Sequence, residues 1–355
     1  MRTFALIKSI NMAKSKRKTK NRKLLKIVSG VTFVLLLVIY FLFFSSMSKT
    51  GDKQYLLIDE NDNIDSVYKK LEPLSTRHGL WTFKQLAKFT SYGDHVRTGR
   101  YLIGSSGALQ TFRHLRNGSQ APVSLTLQSV RTKEDLAKNV CAKLMFTKGE
   151  FLDSLNSSDF CKKYGYTPNT VVAMFIPNTY ELYWNTTVGM FLEKMQEENK
   201  KFWSFERTQK ANVIGFSKEE VMTLASIVDE ETDNEGEMPK IAGMYINRLR
   251  ADMPLQADPT VKFALQKFEA HRIYHKWLSY DSPYNTYKYH GLPPGPIRIP
   301  SVAAIDAVLN FVHHDYLYMC AKEDFSGTHN FAKTYQEHLD NARKYAKALT
   351  ERGIE

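Results

Sequence analysis

The residues of this sequence best placed to do chemistry are Asp229, Glu230, Glu231 and Thr232, a polar run closing an apolar-striped helix. Ser217 and Glu220 form a capping box that starts the helix, and Val221, Leu224, Ala225 and Val228 supply its buried stripe. At about 100° per residue, Glu231 falls within roughly 60° of Val228 and on the side of Leu224. Glu230 points about 180° from Val221, into solvent, and Asp229 lies about 160° from Glu231. A carboxyl held against apolar neighbours has its charged form disfavoured, which makes Glu231 a general acid at neutral pH.

That acid needs elements to hold a partner surface against it. A second helix follows, with Pro239 in its first turn and Ile241, Ala242, Met244, Tyr245 and Leu249 at helical spacing, so the two helices form a hairpin. Asn247 and Arg248 stand near its end. The chain then turns through Met253 and Pro254 into Leu255-Gln256-Ala257-Asp258-Pro259-Thr260. Asp before Pro makes a good N-cap and N1 pair for a helix from Thr260 to Lys267, and this capping role outweighs catalysis at Asp258. Ser282 to Tyr287 and Gly291 to Pro296 carry too much Pro and Gly for a strand ladder and read as rigid loop. His329, in His329-Asn330-Phe331, is of a type that more often serves structure than catalysis when it stands alone.

The segments LASIVDEET, INRL, MPLQADPTV, SPYNTY, GLPPGPI and HNF follow one another in an order and spacing that resembles the MltG-type (YceG-like) endolytic murein transglycosylases. The resemblance is strongest from about Phe216 to Phe331 and extends more loosely from Gln54. It implies that Glu231 is the catalytic acid, matching the second acidic position of the family's E-K-E-type motif, with Asp229 and Glu230 departing from that motif. It also implies a glycan cleft in which Gln256, Asn285 and Thr286 hold a sugar acetamide, with Asp258, Tyr284, Tyr287 and His329 as further substrate contacts. No metal or other cofactor is implied. Peptidoglycan glycan strands are the implied substrate, and peptidoglycan synthases the implied partners. A hydrolase would normally need two carboxyl groups about 5 to 9.5 Å apart. A lytic transglycosylase dispenses with the second by letting the C6 hydroxyl of N-acetylmuramic acid attack C1, giving a 1,6-anhydro end.

Net charge argues against a nucleic-acid partner. The chain carries +12, but ten positive charges and no acid lie before residue 27, so the basicity is a tail and not a face. Ile27 to Phe44 is 18 residues without a charge, extending to Met47 through two serines. About 20 helical residues cross a bilayer core of about 30 Å, and a secretory signal has a shorter apolar region, so an uncleaved single-pass anchor is favoured. The basic tail places the N-terminus in the cytoplasm and the rest outside a bacterial inner (cytoplasmic) membrane, in the periplasmic or extracytoplasmic space. Cys141, Cys161 and Cys320 lack zinc spacing; a bridge between Cys141 and Cys161 is left open.

The expected fold class is α+β: a basic tail at 1–26, a transmembrane helix at 27–47, a small module at 48–120 and a mixed α+β catalytic domain at 121–355. The module reads as strand Tyr55 to Ile58, helix Asp62 to Leu71, helix Thr82 to Phe89 with Phe83, Leu86 and Phe89 inward, strand Gly99 to Ile103, then helix Ala108 to Arg116. That strand, helix, helix, strand order resembles a LysM-like module, with or without a glycan ligand. Val123 to Val130 alternates as a strand, Thr132 to Met145 is amphipathic, and Phe175, Tyr180, Tyr183 and Trp184 cluster around Pro177. Two other function classes are open. One is a non-catalytic peptidoglycan-binding scaffold. The other is a metal-dependent hydrolase using Asp229, Glu231, Asp258 and His329, for which no ligand spacing of the HExxH kind is present.

Overall fold

The computed structural model describes residues 2–270 and 273–353. Residues 271–272 and 354–355, which fall within the expected catalytic domain, lie outside the described ones. The chain is a mixture of helices and short antiparallel strands, led by one apolar N-terminal helix long enough to cross a membrane. It divides into two compact units, Met1–Pro122 with Tyr183–Asn185, and Val123–Leu182 with Thr186–Glu355.

The first unit opens on α1 (Arg2–Phe44), whose apolar stretch lies between Lys20 and Phe44 with none of it buried. β1 (Gln54–Ile58) pairs antiparallel with β2 (Gly99–Ile103), Leu56 opposite Tyr101. Between them run α2 (Ile64–Leu71) and α3 (Arg77–Phe89), and α4 (Ala108–Asn117) follows. The starts of α2 and α3 have local causes: Asn63 accepts from the Asp65 and Ser66 amides, and Thr76 accepts from the Gly79 amide. Gly118, at φ 72°, ends α4 in the left-handed region that glycine enters without steric cost. Phe83, Tyr92, Tyr101 and Phe112 fill the core, with Phe83, Tyr92 and Phe112 in edge-to-face contact. Two sequence expectations fail here. Phe89 is 89% exposed, because the buried face of α3 centres on Gly79, Phe83 and Ala87 and Phe89 lies about 120° from Phe83 around the helix. Met47, placed by composition in the apolar span, is fully buried in the core of this unit.

In the second unit β3 (Val123–Leu127) pairs antiparallel with β4 (Asn178–Leu182), burying Leu125 and Tyr180. The alternation continues in sequence to Val130, but the ladder stops at Leu127, opposite Asn178. Helices α5 (Lys133–Cys141), α6 (Lys148–Asn156), α7 (Ser158–Lys163) and α8 (Val188–Phe202) pack around Phe151, Phe175 and Phe191. Cys141, Cys161 and Cys320 are unbridged. α9 (Phe205–Ile214) leads to the hairpin of α10 (Lys218–Glu231) and α11 (Met238–Arg250). The capping box is formed: Glu220 N–H donates to Ser217 Oγ at 3.2 Å and Ser217 N–H to Glu220 Oε2 at 2.7 Å. α12 (Asp258–Leu265) and α13 (Val302–Leu309) pack against α10. β5 (Tyr318–Ala321) and β6 (His329–Ala332) form a hairpin, and α14 (Tyr335–Glu351) lies on it. Gly243 on α11 admits the segment leading to β5, since a Cβ there would stand 2.4 Å from the Val312 carbonyl oxygen.

Candidate active site

Glu231 is the last residue of α10, and Thr232 already has extended backbone. Every residue from Val221 to Asp229 is buried. Glu231 therefore emerges from the core into a cavity of about 320 Å³, lined also by Tyr245, Arg248, Gln256, Asp258, Tyr287, Tyr318, His329 and His338. The hairpin geometry brings Tyr245 of α11 across, and its hydroxyl donates to Glu231 Oε1 at 2.5 Å. Burial raises the Glu231 carboxyl to about 7; the Tyr245 hydrogen bond opposes this and the nearby Asp258 charge adds to it. The tyrosine is buried as well, and both its burial and the adjacent carboxyl hold its hydroxyl protonated. Because Oε1 is occupied as an acceptor, Oε2 is the oxygen left to carry the proton.

The neighbouring acids have different work. Asp229 accepts from Ser301, through the amide at 3.1 Å and the hydroxyl at 2.6 Å, and forms an ion pair with Arg298, whose Nε lies 3.1 Å from Oδ2. Ser301 in turn caps α13 through the Ala304 amide, so Asp229 ties the end of α10 to the start of α13. Glu230 does not point into solvent as its wheel position suggests. Arg131 grips both its oxygens, at 2.6 and 3.0 Å, and Arg298 Nη1 lies 3.0 Å from Oε1, leaving its side chain 13% exposed. Periodicity assigns a face of a helix and not what another segment lays over that face. Three successive carboxylates thus serve as brace, ion-pair partner and cavity acid.

Asp258 is not the cap of α12. Ala257 holds the N-cap position without a side-chain bond, while Asp258 Oδ1 accepts from Tyr287 Oη at 2.6 Å and the residue lines the cavity. Gln256 holds φ at 51°, a strained value for a residue with a Cβ. Its amide donates to the Thr286 carbonyl at 3.0 Å, and its Oε1 accepts from Arg248 Nη2 at 2.7 Å. Arg248 is 5% exposed and also donates to the carbonyls of Pro254 and Leu317, so one guanidinium pins the loop before α12 to the approach of β5. His329 stands on β6, where Glu237 accepts from both its backbone amide at 2.8 Å and its Nδ1 at 2.9 Å. With Nδ1 as donor, Nε2 is the free ring nitrogen of the neutral form.

Asn285, Thr286 and Tyr284 stand outside the cavity wall. Asn285 is fully buried, donating to the carbonyls of Leu278 and Tyr280 and accepting from the Tyr287 amide, so its hydrogen-bonding capacity goes to the turn. Thr286 Oγ1 accepts from the Ala257 amide and bonds Thr260. The Tyr284 ring packs at a tilt against Phe263, centroids 4.9 Å apart, and lines a separate pocket with Arg131 and Pro296. These residues shape the loop that presents Gln256, Asp258 and Tyr287. Asn285→Ala is accordingly expected to lower folding stability by about 1 to 3 kcal/mol through its stranded carbonyl partners. A urea unfolding curve checks this; an unmoved midpoint with impaired substrate affinity would place the side chain on the ligand instead.

Tyr245, Arg248, Glu237 and His338 did not stand out as site residues in the sequence. Tyr245 reads there as one more apolar position of α11, and nothing in the sequence sets its hydroxyl apart. Among the described residues no three His, Cys, Asp or Glu side chains converge closely enough to hold a metal ion.

Comparison with known proteins bears on this arrangement. A family model described as the YceG-like family matches residues 56–344. An endolytic murein transglycosylase of Bacillus subtilis (strain 168) is 34% identical over 207 residues, covering 58% of this chain and 55% of that protein. An endolytic murein transglycosylase of Streptococcus pneumoniae (strain D39) is 26% identical over 339 residues, covering 84% of this chain and 60% of that protein. The chain therefore spans somewhat over half the length of these relatives. A crystal structure of a yceG-like protein from Listeria monocytogenes superposes with a TM-score of 0.54 at 26% identity, covering 81% of this chain and 99% of that one. Since the family match runs from β1 into α14 and takes in Glu231 together with every residue that lines its cavity, the chain belongs to the YceG-like family.

Proposed function

We propose that this protein is a membrane-anchored lytic transglycosylase that cleaves peptidoglycan glycan strands internally, with Glu231 as its catalytic acid. The observation that carries the reading is the Glu231 carboxyl, raised to about 7 by burial and fixed by Tyr245, at the wall of an open cavity. The similarity to endolytic murein transglycosylases supports the substrate class. In the proposed reaction Glu231 Oε2 delivers its proton to the oxygen leaving C1 of N-acetylmuramic acid. As carboxylate it then takes the proton of the C6 hydroxyl as that oxygen closes onto C1, which yields a 1,6-anhydro end and restores the acid. Intramolecular attack has a large effective molarity, so no second carboxylate need activate water.

In this scheme Gln256, Asp258, Tyr287 and His329 contact the strand, Asp258 held in place by Tyr287. α1 anchors the chain in the bacterial inner membrane with the N-terminus in the cytoplasm, and the first unit is a LysM-like module. Its strand, helix, helix, strand order supports that last assignment. Peptidoglycan synthases, which make the strands, are the proposed partners.

Digestion of purified glycan strands followed by mass analysis tests the reaction. Products lighter by one water than hydrolytic fragments are expected; reducing ends alone would mean a hydrolase, and bound strands without products a scaffold. The pH profile is a separate prediction. The acid must be protonated, so kcat/KM should fall as pH rises through about 7. The Tyr245 hydrogen bond favours the ionised form, so Tyr245→Phe should move that alkaline limb to higher pH. A limb that stays put would remove Tyr245 from control of the acid.

A further inference from the structure

We infer that the exposed face of α3, formed by Arg77, Trp81, Lys84 and Lys88 with Phe89 at its edge, is a membrane-contact surface for anionic lipid headgroups. The inference rests on reading α1 as a membrane span. No spacer separates that span from the folded unit. α1 ends at Phe44, and Met47 is already fully buried. The Met47 amide donates to the Ser106 carbonyl at 3.0 Å, its own carbonyl accepts from Thr76 at 2.7 Å, and Ser46 and Ser48 bridge to Gly107 and Ser75. A Cβ on Gly107 would stand 2.4 Å from the Phe43 carbonyl oxygen, so the start of α4 touches the last turn of α1 directly. On the α3 side the His78 ring packs on Phe41 with centroids 4.4 Å apart, and His78 Nε2 lies 2.8 Å from Ser45 Oγ. Phe41 belongs to the apolar segment itself. The first turn of α3 therefore stands level with the last turn of the span, where hydrocarbon gives way to headgroups.

What α3 shows on its outside fits that position. Its sequence, RHGLWTFKQLAKF, contains no acid. With Trp81 as centre, Arg77, Lys84 and Lys88 fall within about 60° of it around the helix, and Phe89 at about 80°. All five are exposed, Trp81 by 54% and Phe89 by 89%, and Lys84 also lies 5.1 Å from the Tyr68 ring. Soluble units normally bury aromatic rings of this size, whereas Trp with Lys and Arg on one helical face is the composition that lies in a bilayer interface. Each cation near an anionic surface strengthens attachment, so the occupant that matches both charge and place is the bilayer α1 enters.

The test uses the full chain reconstituted into phosphatidylcholine vesicles with and without phosphatidylglycerol, with lipids brominated high on the acyl chain as quenchers. The chain has four Trp residues and none lies in α1. In vesicles containing phosphatidylglycerol a quenched component of the fluorescence is expected that Trp81→Phe abolishes. The Arg77→Glu, Lys84→Glu, Lys88→Glu triple variant should lose it too, with melting unchanged because all three side chains are exposed. Equal quenching of wild type and Trp81→Phe would overturn the inference, as would quenching that ignores phosphatidylglycerol. Protein that fails to float with the vesicles would overturn the membrane anchor and this inference together, whereas vesicle-bound protein with Trp81 unquenched would overturn the inference alone.

Discussion

Glu231→Gln should lose turnover by roughly 10² to 10⁴, the range for removing one positioned acid, while the folded protein still binds glycan strands. Glutamine keeps the shape of the carboxyl and can accept from Tyr245, but it cannot release a proton to a leaving oxygen. The same change should stabilise the fold. A carboxyl whose folded value is raised from an ordinary 4.5 to about 7 favours folding below 4.5, and that contribution is lost as pH climbs to about 7. The gain in melting temperature should therefore be small at pH 5 and larger at pH 8. Asp229→Asn makes the contrasting case: it weakens the tie to Ser301 and Arg298, so stability falls while activity per folded molecule is largely kept. An active Glu231→Gln protein would mean that the proton comes from elsewhere, and no pH-dependent gain in stability would mean that the carboxyl is not desolvated.

Arg248→Ala should be the most damaging single change to stability near the site. The guanidinium is buried, no carboxylate pairs with it among the described residues, and its hydrogen bonds go to the carbonyls of Pro254 and Leu317 and to Gln256. Removing it strands those acceptors in the interior, a loss of about 3 to 5 kcal/mol by analogy with broken buried ion networks. For a unit of this size the melting temperature should drop by on the order of 10 °C. Arg248→Lys keeps the charge without the planar fork and should recover only part of this. Calorimetry of the two variants decides the matter, and an unmoved transition in Arg248→Ala would show that water satisfies those carbonyls.

The α10–α11 hairpin was legible in the sequence because its causes are local: a capping box at Ser217, a stripe of period 3.6 and a proline in the first turn of α11. Glu231 was legible for the same reason, since its place at the margin of the stripe follows from position alone. Glu230 and Asp258 were misjudged because their partners, Arg131 and Tyr287, lie far along the chain and no spacing announces them. Asn285 and Thr286 have the right chemistry for a sugar but spend it on the turn, and residue type cannot distinguish those uses. Phe89 shows the opposite failure: a spacing of three from Phe83 through Leu86 drifts about 60° per step around the helix and leaves the buried face by Phe89.

Tyr318, His329, Tyr335 and His338 close one side of the cavity, and all come from β5, β6 and α14, which follow the α10–α11 hairpin by about 70 residues or more. A chain is made from its N-terminus, so the acid and its hairpin exist well before the wall that faces them. Before that wall is made, Glu231 lies beside an incomplete cleft. The cavity beside Glu231 is thus completed only once β5, β6 and the first turns of α14 have been made.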